Sequence, residues 1–171
     1  RNALSNEPWF PSRTGDWVLL TDGTFGEIKT QTVELVVIEI GLTQKKYYSV
    51  PQYLSLAPTN LSHGFTLDFI WGLDYADQFV VLNSILPSIN TKMKKNLEDY
   101  AYSPIAFNID FHSAGESTLN LNIVAQFDGR FACKRLQILK NLQMMLLQYC
   151  TEEKINIPFN QLVVHLESKK T

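Results

Sequence analysis

Apolar residues recur along this chain with two different periods, and the pattern changes near Pro58. Before that point the signals are short and β-like. Trp17, Val18, Leu19 and Leu20 form an apolar, β-branched run, and a second run begins at Thr24. Asp22-Gly23 separates them, the dipeptide that best tolerates the positive φ angles of a tight two-residue hairpin. Gly26 marks a bulge or a close backbone approach. TVELVVIEI (32–40) is rich in β-branched residues on both faces and ends at Gly41; KKYYSV (45–50) follows and stops at Pro51. Such a density of short strands predicts a small barrel of Sm-like or SH3-like type, closing on itself to remove its edges.

Beyond Pro58, three segments alternate strictly, each predicting a strand with one buried face. FTLDFIW (65–71) sets Phe65, Leu67, Phe69 and Trp71 against Thr66, Asp68 and Ile70. IAFNIDF (105–111) sets Ile105, Phe107, Ile109 and Phe111 against Ala106, Asn108 and Asp110, and LNLNIVAQF (119–127) repeats the pattern. Between them the period lengthens. Residues 75–98 carry Phe79, Leu82, Leu86, Ile89, Met93 and Leu97 at helical steps, with Pro87 expected to kink or divide the helix. Residues 130–153 carry Leu136, Leu139, Leu142, Leu146 and Cys150 on one stripe. SAGES (113–117) reads as the turn between the middle strands, and LVVHL (162–166) as a last short strand. The order from Phe65 onward is β-α-β-β-α-β, the ferredoxin-like arrangement with both helices on one face.

The expected organisation is therefore α+β. A lead-in covers 1–14, a middle β-barrel domain 15–60, a ferredoxin-like domain 61–159, and a C-terminal strand and tail 160–171. Trp17, Val18 and Ile28 are expected to fill the barrel, with Gly23 holding its turn.

Composition narrows the chemistry. The formal net charge is -2, without the basic footprint of a phosphate-tracking protein. The predicted open sheet face presents Thr66, Asp68, Ile70, Asn108, Asp110, Asn120 and Asn122, without the aromatic and basic residues on which RNA-recognition sheets stack bases. Lys92, Lys94 and Lys95 read as a solvated helix face. No nucleic-acid partner is expected. No apolar run approaches the roughly 20 residues of a membrane span, and Arg1–Arg13 lacks the apolar core of a signal peptide. The sequence opens on Arg1 and not on Met, so a piece of something longer is expected.

His63, His112 and His165 lie on separate segments without metal-ligand spacing, and no phosphate loop, dinucleotide fingerprint or nucleophile elbow occurs. Asp74 and Asp77 are accounted for by capping and by the positive end of a helix dipole. Cys133 and Cys150 share a helical segment, about 25 Å apart if helical throughout, beyond disulfide reach. They read as packing residues in a reducing compartment. No enzyme, cofactor or metal is expected.

Several short motifs, in order, resemble one family. Gly15-Asp16-Trp17-Val18 with Gly23-Thr24-Phe25-Gly26-Glu27-Ile28 is similar to the "GDxV…GxxGxV" opening of the middle β domain in the small-conductance mechanosensitive channel family. Val50-Pro51-Gln52 stands where that family usually has Ile-Pro-Asn, and Asn60-Leu61-Ser62 resembles its Asn-Phe-Ser. Leu73-Asp74-Tyr75-Ala76-Asp77 resembles the region opening its first α/β helix, and Ile155-Asn156-Ile157-Pro158-Phe159 its "gI-x-hP-hP" segment. Gln52 for Asn, and a longer stretch from Pro8 to Gly15, are departures. The resemblance implies the cytoplasmic vestibule of a heptameric channel in the cell (inner) membrane. Its membrane helices would lie outside these residues, and ions and small solutes would pass through the cage under osmotic downshock. Gly15, Asp16, Gly23, Gly26, Pro51, Asn60, Asp77 and Pro158 would be structural motif residues, with Leu162, Val164 and Leu166 at an oligomer interface. An RNA-binding two-module protein and a non-enzymatic oligomeric scaffold are the alternative readings.

Overall fold

The structure, a computed structural model, describes residues 7–74, 81–116 and 118–158. Among the described residues, two antiparallel sheets and three α-helices make it an α+β protein. The first sheet joins β1 (Trp17–Leu19), β2 (Phe25–Gln31), β3 (Leu35–Ile40), β4 (Gln44–Ser49) and β5 (Thr59–Asn60) in the order β4-β3-β2-β1-β5. Strand β1 pairs with β2 through Val18↔Gly26 and with β5 through Val18↔Asn60. The short helix α1 (Val50–Ser55) lies between β4 and β5.

The β1–β2 loop has three residues where two were expected. Leu20 N donates to Thr24 O, Gly23 N donates to Leu20 O, and among Thr21, Asp22 and Gly23 only Gly23 has a positive φ, +85°. This is a type I turn followed by a left-handed glycine, which needs one positive φ and not two. Strand β3 begins later than expected because Thr32 folds back: its N donates to Leu35 O, and its side chain accepts from Glu34 N and Leu35 N. KKYYSV does not end as a strand. Ser49 caps α1, accepting from Gln52 N while Gln52 Oε1 accepts from Ser49 N, with Pro51 in the first turn. That reciprocal cap satisfies two orphan helix donors, so Pro51 starts an element instead of stopping one.

The second sheet has the order β6-β8-β7, formed by β6 (Phe65–Asp74), β7 (Ala106–Ala114) and β8 (Thr118–Phe127). Both longer helices, α2 (Leu86–Glu98) and α3 (Arg135–Glu152), bury their apolar stripes on one face of it. Ile89, Met93 and Leu97 of α2, with Ile138, Leu142 and Leu146 of α3, meet Leu67, Leu121, Ile123 and Ala125. Asn90 of α2 clasps the edge strand β7, donating to Ile109 O at 2.7 Å and accepting from Ile109 N at 2.9 Å. Two groups of that edge are thus withheld from pairing with another chain.

Here too some expectations shift. Pro87 divides the helical run as expected: a wide helical turn, Val81–Ile85, gives way to α2 at Leu86, with Pro87 in its first turn. The 130–153 segment opens with a 3₁₀ stretch, Gly129–Lys134, whose different winding rotates the stripe. Leu136 and Cys133 are consequently exposed, and Cys150 is buried. Register shifts on β7 after Phe111; Ile105 and Phe111 are exposed where burial was expected. Lys92 is not simply solvated, for it pairs with Glu152 of α3 and lies over the Tyr149 ring. The expected strand 162–166, and Phe79 of the first helical stripe, lie outside the described residues. Among the described residues, no helix is long and apolar enough to cross a membrane.

Candidate functional site

The lead-in is built into the first core. Phe10, between Pro8 and Pro11, is buried with Val18, Leu20, Ile28, Val36, Ile38 and Tyr53, and its ring stacks on that of Tyr53 at 6.0 Å. Apolar burial of one Phe contributes about 1.5–3 kcal/mol, enough to hold a segment with no regular structure. Beside it, the fully buried Tyr53 and nearly buried Ser12 share a 2.6 Å hydrogen bond, and Ser12 Oγ reaches Gln31 Oε1 at 3.4 Å. Burial pushes the Tyr53 phenol up to about 12, because the phenolate would be desolvated.

Two sequence motifs meet at the next step of the lead-in. Asp16 Oδ2 accepts from Arg13 N at 2.8 Å and from Asn60 Nδ2 at 2.8 Å. The same Asn60 amide nitrogen donates to Pro11 O at 3.2 Å, while its oxygen accepts from Ser62 N at 3.0 Å. Ser62 Oγ in turn accepts from Trp17 N at 2.9 Å. Gly15-Asp16-Trp17 and Asn60-Leu61-Ser62, some 44 residues apart, are thereby one polar node. It fixes the lead-in, β1 and the exit from β5 to each other. Gly15 N adds a bond to Ile28 O at 2.8 Å.

Gly26 lies opposite Val18 where β3 crosses closely. A Cβ there would stand 2.2 Å from Glu39 O and 2.7 Å from an Ile38 methyl. No side chain fits without moving β3.

The β1–β2 hairpin uses both faces. Val18 and Ile28 point into the first core, but Trp17 does not join them; Trp17, Leu19 and Phe25 pack against the second core. Strict alternation along β1 requires this, since neighbours project to opposite sides. The Trp17 and Phe25 rings lie 5.2 Å apart, and the Arg135 guanidinium at the start of α3 sits 6.0 Å from the Phe25 ring centre.

Of the remaining expected residues, Pro51 opens α1 and Pro158 follows α3. The stretch between is tied back: Ile155 is buried, and Asp74 N donates to Asn156 O at 3.0 Å beside β6. Asp77, Leu162, Val164 and Leu166 lie outside the described residues. The sequence reading missed Phe10, Ser12, Tyr53 and Arg135. Ser49-x-x-Gln52 was the available signal for Tyr53, because a capping box announces a helix whose buried face then falls on that residue.

No protein-family model matches the sequence, and no curated protein matches it at a significant level. Solved structures do match by fold. The closed-state structure of Helicobacter pylori MscS aligns with a TM-score of 0.65 at 14% identity, covering 95% of this chain and 62% of that one. Arabidopsis thaliana MSL1 aligns with a TM-score of 0.57 at 11% identity, covering 88% of this chain and 54% of that one. A second structure of wild-type MSL1 gives 0.58 at 11% identity, with 88% and 52% covered. The chain thus spans between about half and three fifths of the length of these proteins, and it shares their fold over that span.

Proposed function

We propose that this chain is the cytoplasmic vestibule of a small-conductance-type mechanosensitive channel. In this reading a ring of seven copies lies on the cytoplasmic side of the cell (inner) membrane, beneath a pore supplied by helices outside these residues. Membrane tension opens the pore, and ions and small solutes leave through the cage under osmotic downshock. The observation that carries the reading is that the fold of H. pylori MscS extends over 95% of this chain, in the same order as the motifs that resemble the family.

Residues 15–60 are assigned to the β ring, a small Sm-like barrel, and residues 61–159 to the cage wall. The strand order β6-β8-β7, with both helices on one face, supports a ferredoxin-like wall: it leaves the far side of β6 for a fourth strand. Residues 160–171 are assigned to the shared end of the ring, where cyclic symmetry makes one strand count seven times. The Asp16–Asn60 node has a structural role, fastening the segment that arrives from the pore to the β ring. Binding and gating, not catalysis, are the expected activities.

The test is patch clamp of the full-length protein in liposomes. Suction should open a conductance with weak ion selectivity, since the formal charge is only -2 per copy. Absence of any suction-activated conductance overturns the reading.

A further inference from the structure

Between the β1–β2 hairpin, the β3–β4 turn and the start of α3 runs an open groove of about 900 Å³. Its floor is aromatic, from Trp17 and Phe25, and Leu136 and Leu42 extend the apolar surface along its sides. Leu136 is 52% exposed and Leu42 96% exposed, and together with Trp17 and Phe25 they form one contiguous apolar patch rather than scattered single residues.

The charges around the groove are unequally engaged. Three acids face it, and each is already occupied. Asp22 accepts from Thr24 N and Tyr48 Oη. Glu27 and Glu39 both pair with Lys29, at 2.7 and 3.6 Å. Lys46 donates to Thr24 Oγ1 at 2.9 Å. Arg135 is different: half-buried against the Phe25 ring, it has no ion pair or side-chain hydrogen bond among the described residues, and neither has its exposed neighbour Lys134. A partly desolvated guanidinium over an aromatic face, with its donors unused, is a fork shaped for a carboxylate.

From this juxtaposition we infer that the groove binds a free amphipathic monocarboxylate, its apolar body lying on Trp17, Phe25 and Leu136 and its carboxylate held by the Arg135 guanidinium. The volume lies within the usual range of small-molecule sites, about 300–1,000 Å³, and such sites combine apolar walls with a few polar anchors. With Lys29 counted beside Lys46, Lys134 and Arg135, the three acids leave a small positive balance, and the unpaired half-buried charge is Arg135's, which favours an anion over its neutral isostere. This assignment does not depend on the channel reading.

The experiment uses octanoate as probe and 1-octanol as its neutral isostere, followed by titration calorimetry on the whole chain. A second readout is alkylation of Cys133, which is exposed at the groove rim while Cys150 is buried. Octanoate should bind at least about tenfold tighter than octanol and protect Cys133 from iodoacetamide. Arg135→Gln should erase that preference. Leu136→Glu, a change at an exposed position that leaves the fold standing, should do the same by placing a negative charge in the groove. Equal affinities for the two probes, or an unchanged preference in Arg135→Gln, overturn the inference. So does light scattering in which Leu136→Glu dissociates an oligomer, since the groove would then be covered by a second copy.

Discussion

Asn60→Ala tests whether the polar node holds the lead-in against the β module. The substitution removes three hydrogen bonds, to Pro11 O, from Ser62 N and to the Asp16 carboxylate. Each is worth about 0.5–1.5 kcal/mol net, and the bond to a charged acceptor belongs at the upper end. Partial exposure lowers the sum, leaving roughly 2–3 kcal/mol. The loss is local, because Phe10 and Ser12 keep their own contacts deeper in the core. Arg13 is exposed and lies within the fastened stretch, so trypsin reports on its release. When opening is fast relative to cleavage, the rate follows the open population, and 2 kcal/mol corresponds to roughly 30-fold. Limited proteolysis with mass spectrometry should therefore show the fragment beginning at Thr14 forming roughly 30 to 150 times faster. Asp16→Ala should act through the same bond, and the double variant should fall short of additivity by at least about 0.5 kcal/mol. Cleavage within threefold of the parent, or strictly additive effects, would refute the node.

Gly26→Ala should cost about 3 kcal/mol or more, because its Cβ meets the β3 backbone, and thermal melting should fall by about 6–12 °C. Gly23→Val, at φ +85° with open space around it, should cost only about 1–2 kcal/mol, from backbone strain alone. Lys154 holds a left-handed conformation after α3, φ +55°; Lys154→Gly should raise stability by about 1 kcal/mol in urea unfolding. Tyr53 has its phenol raised to about 12 from an ordinary 10.0. The stability it contributes is complete below pH 10 and is lost as pH climbs toward 12. Tyr53→Phe should therefore flatten the alkaline limb of a pH-melting curve.

The strands of the second sheet were legible because one face is buried, and burial of one face writes itself as alternation: Phe65, Leu67 and Leu73 on β6, or Leu119, Leu121 and Ile123 on β8. Alternation misleads where a strand is at an edge. Ile105 and Phe111 keep the apolar pattern of β7 but emerge into solvent: Ile105 lies just before the strand, tied to β8 by its N–H to Gln126 O, and Phe111 is the last residue before the register shift. Trp17 was misassigned for a related reason: a strand between two cores is apolar on both faces, and the sequence does not say which core owns which side. Helix α1 was hidden by Pro51, read as a stop when its place after a capping serine made it a start. The polar node was half legible. Its two motifs stood in the sequence, but their meeting depends on β5 returning to β1, a pairing of only two residues on each strand.

That return has a mechanical consequence. Strands β1 and β5 are antiparallel, so the chain arrives and departs at the same end of the pair: Leu61 N donates to Trp17 O, next to Asp16 and Asn60. A force pulling the two ends apart does not shear the ladder, loading every bond together. It peels the pair like a zip, one bond at a time, beginning with Asp16–Asn60. The β module can thus be firm against heat and yet yield first, under load, at one defined stitch, while the core formed by Val36, Ile38 and Tyr53 stays out of the line of force.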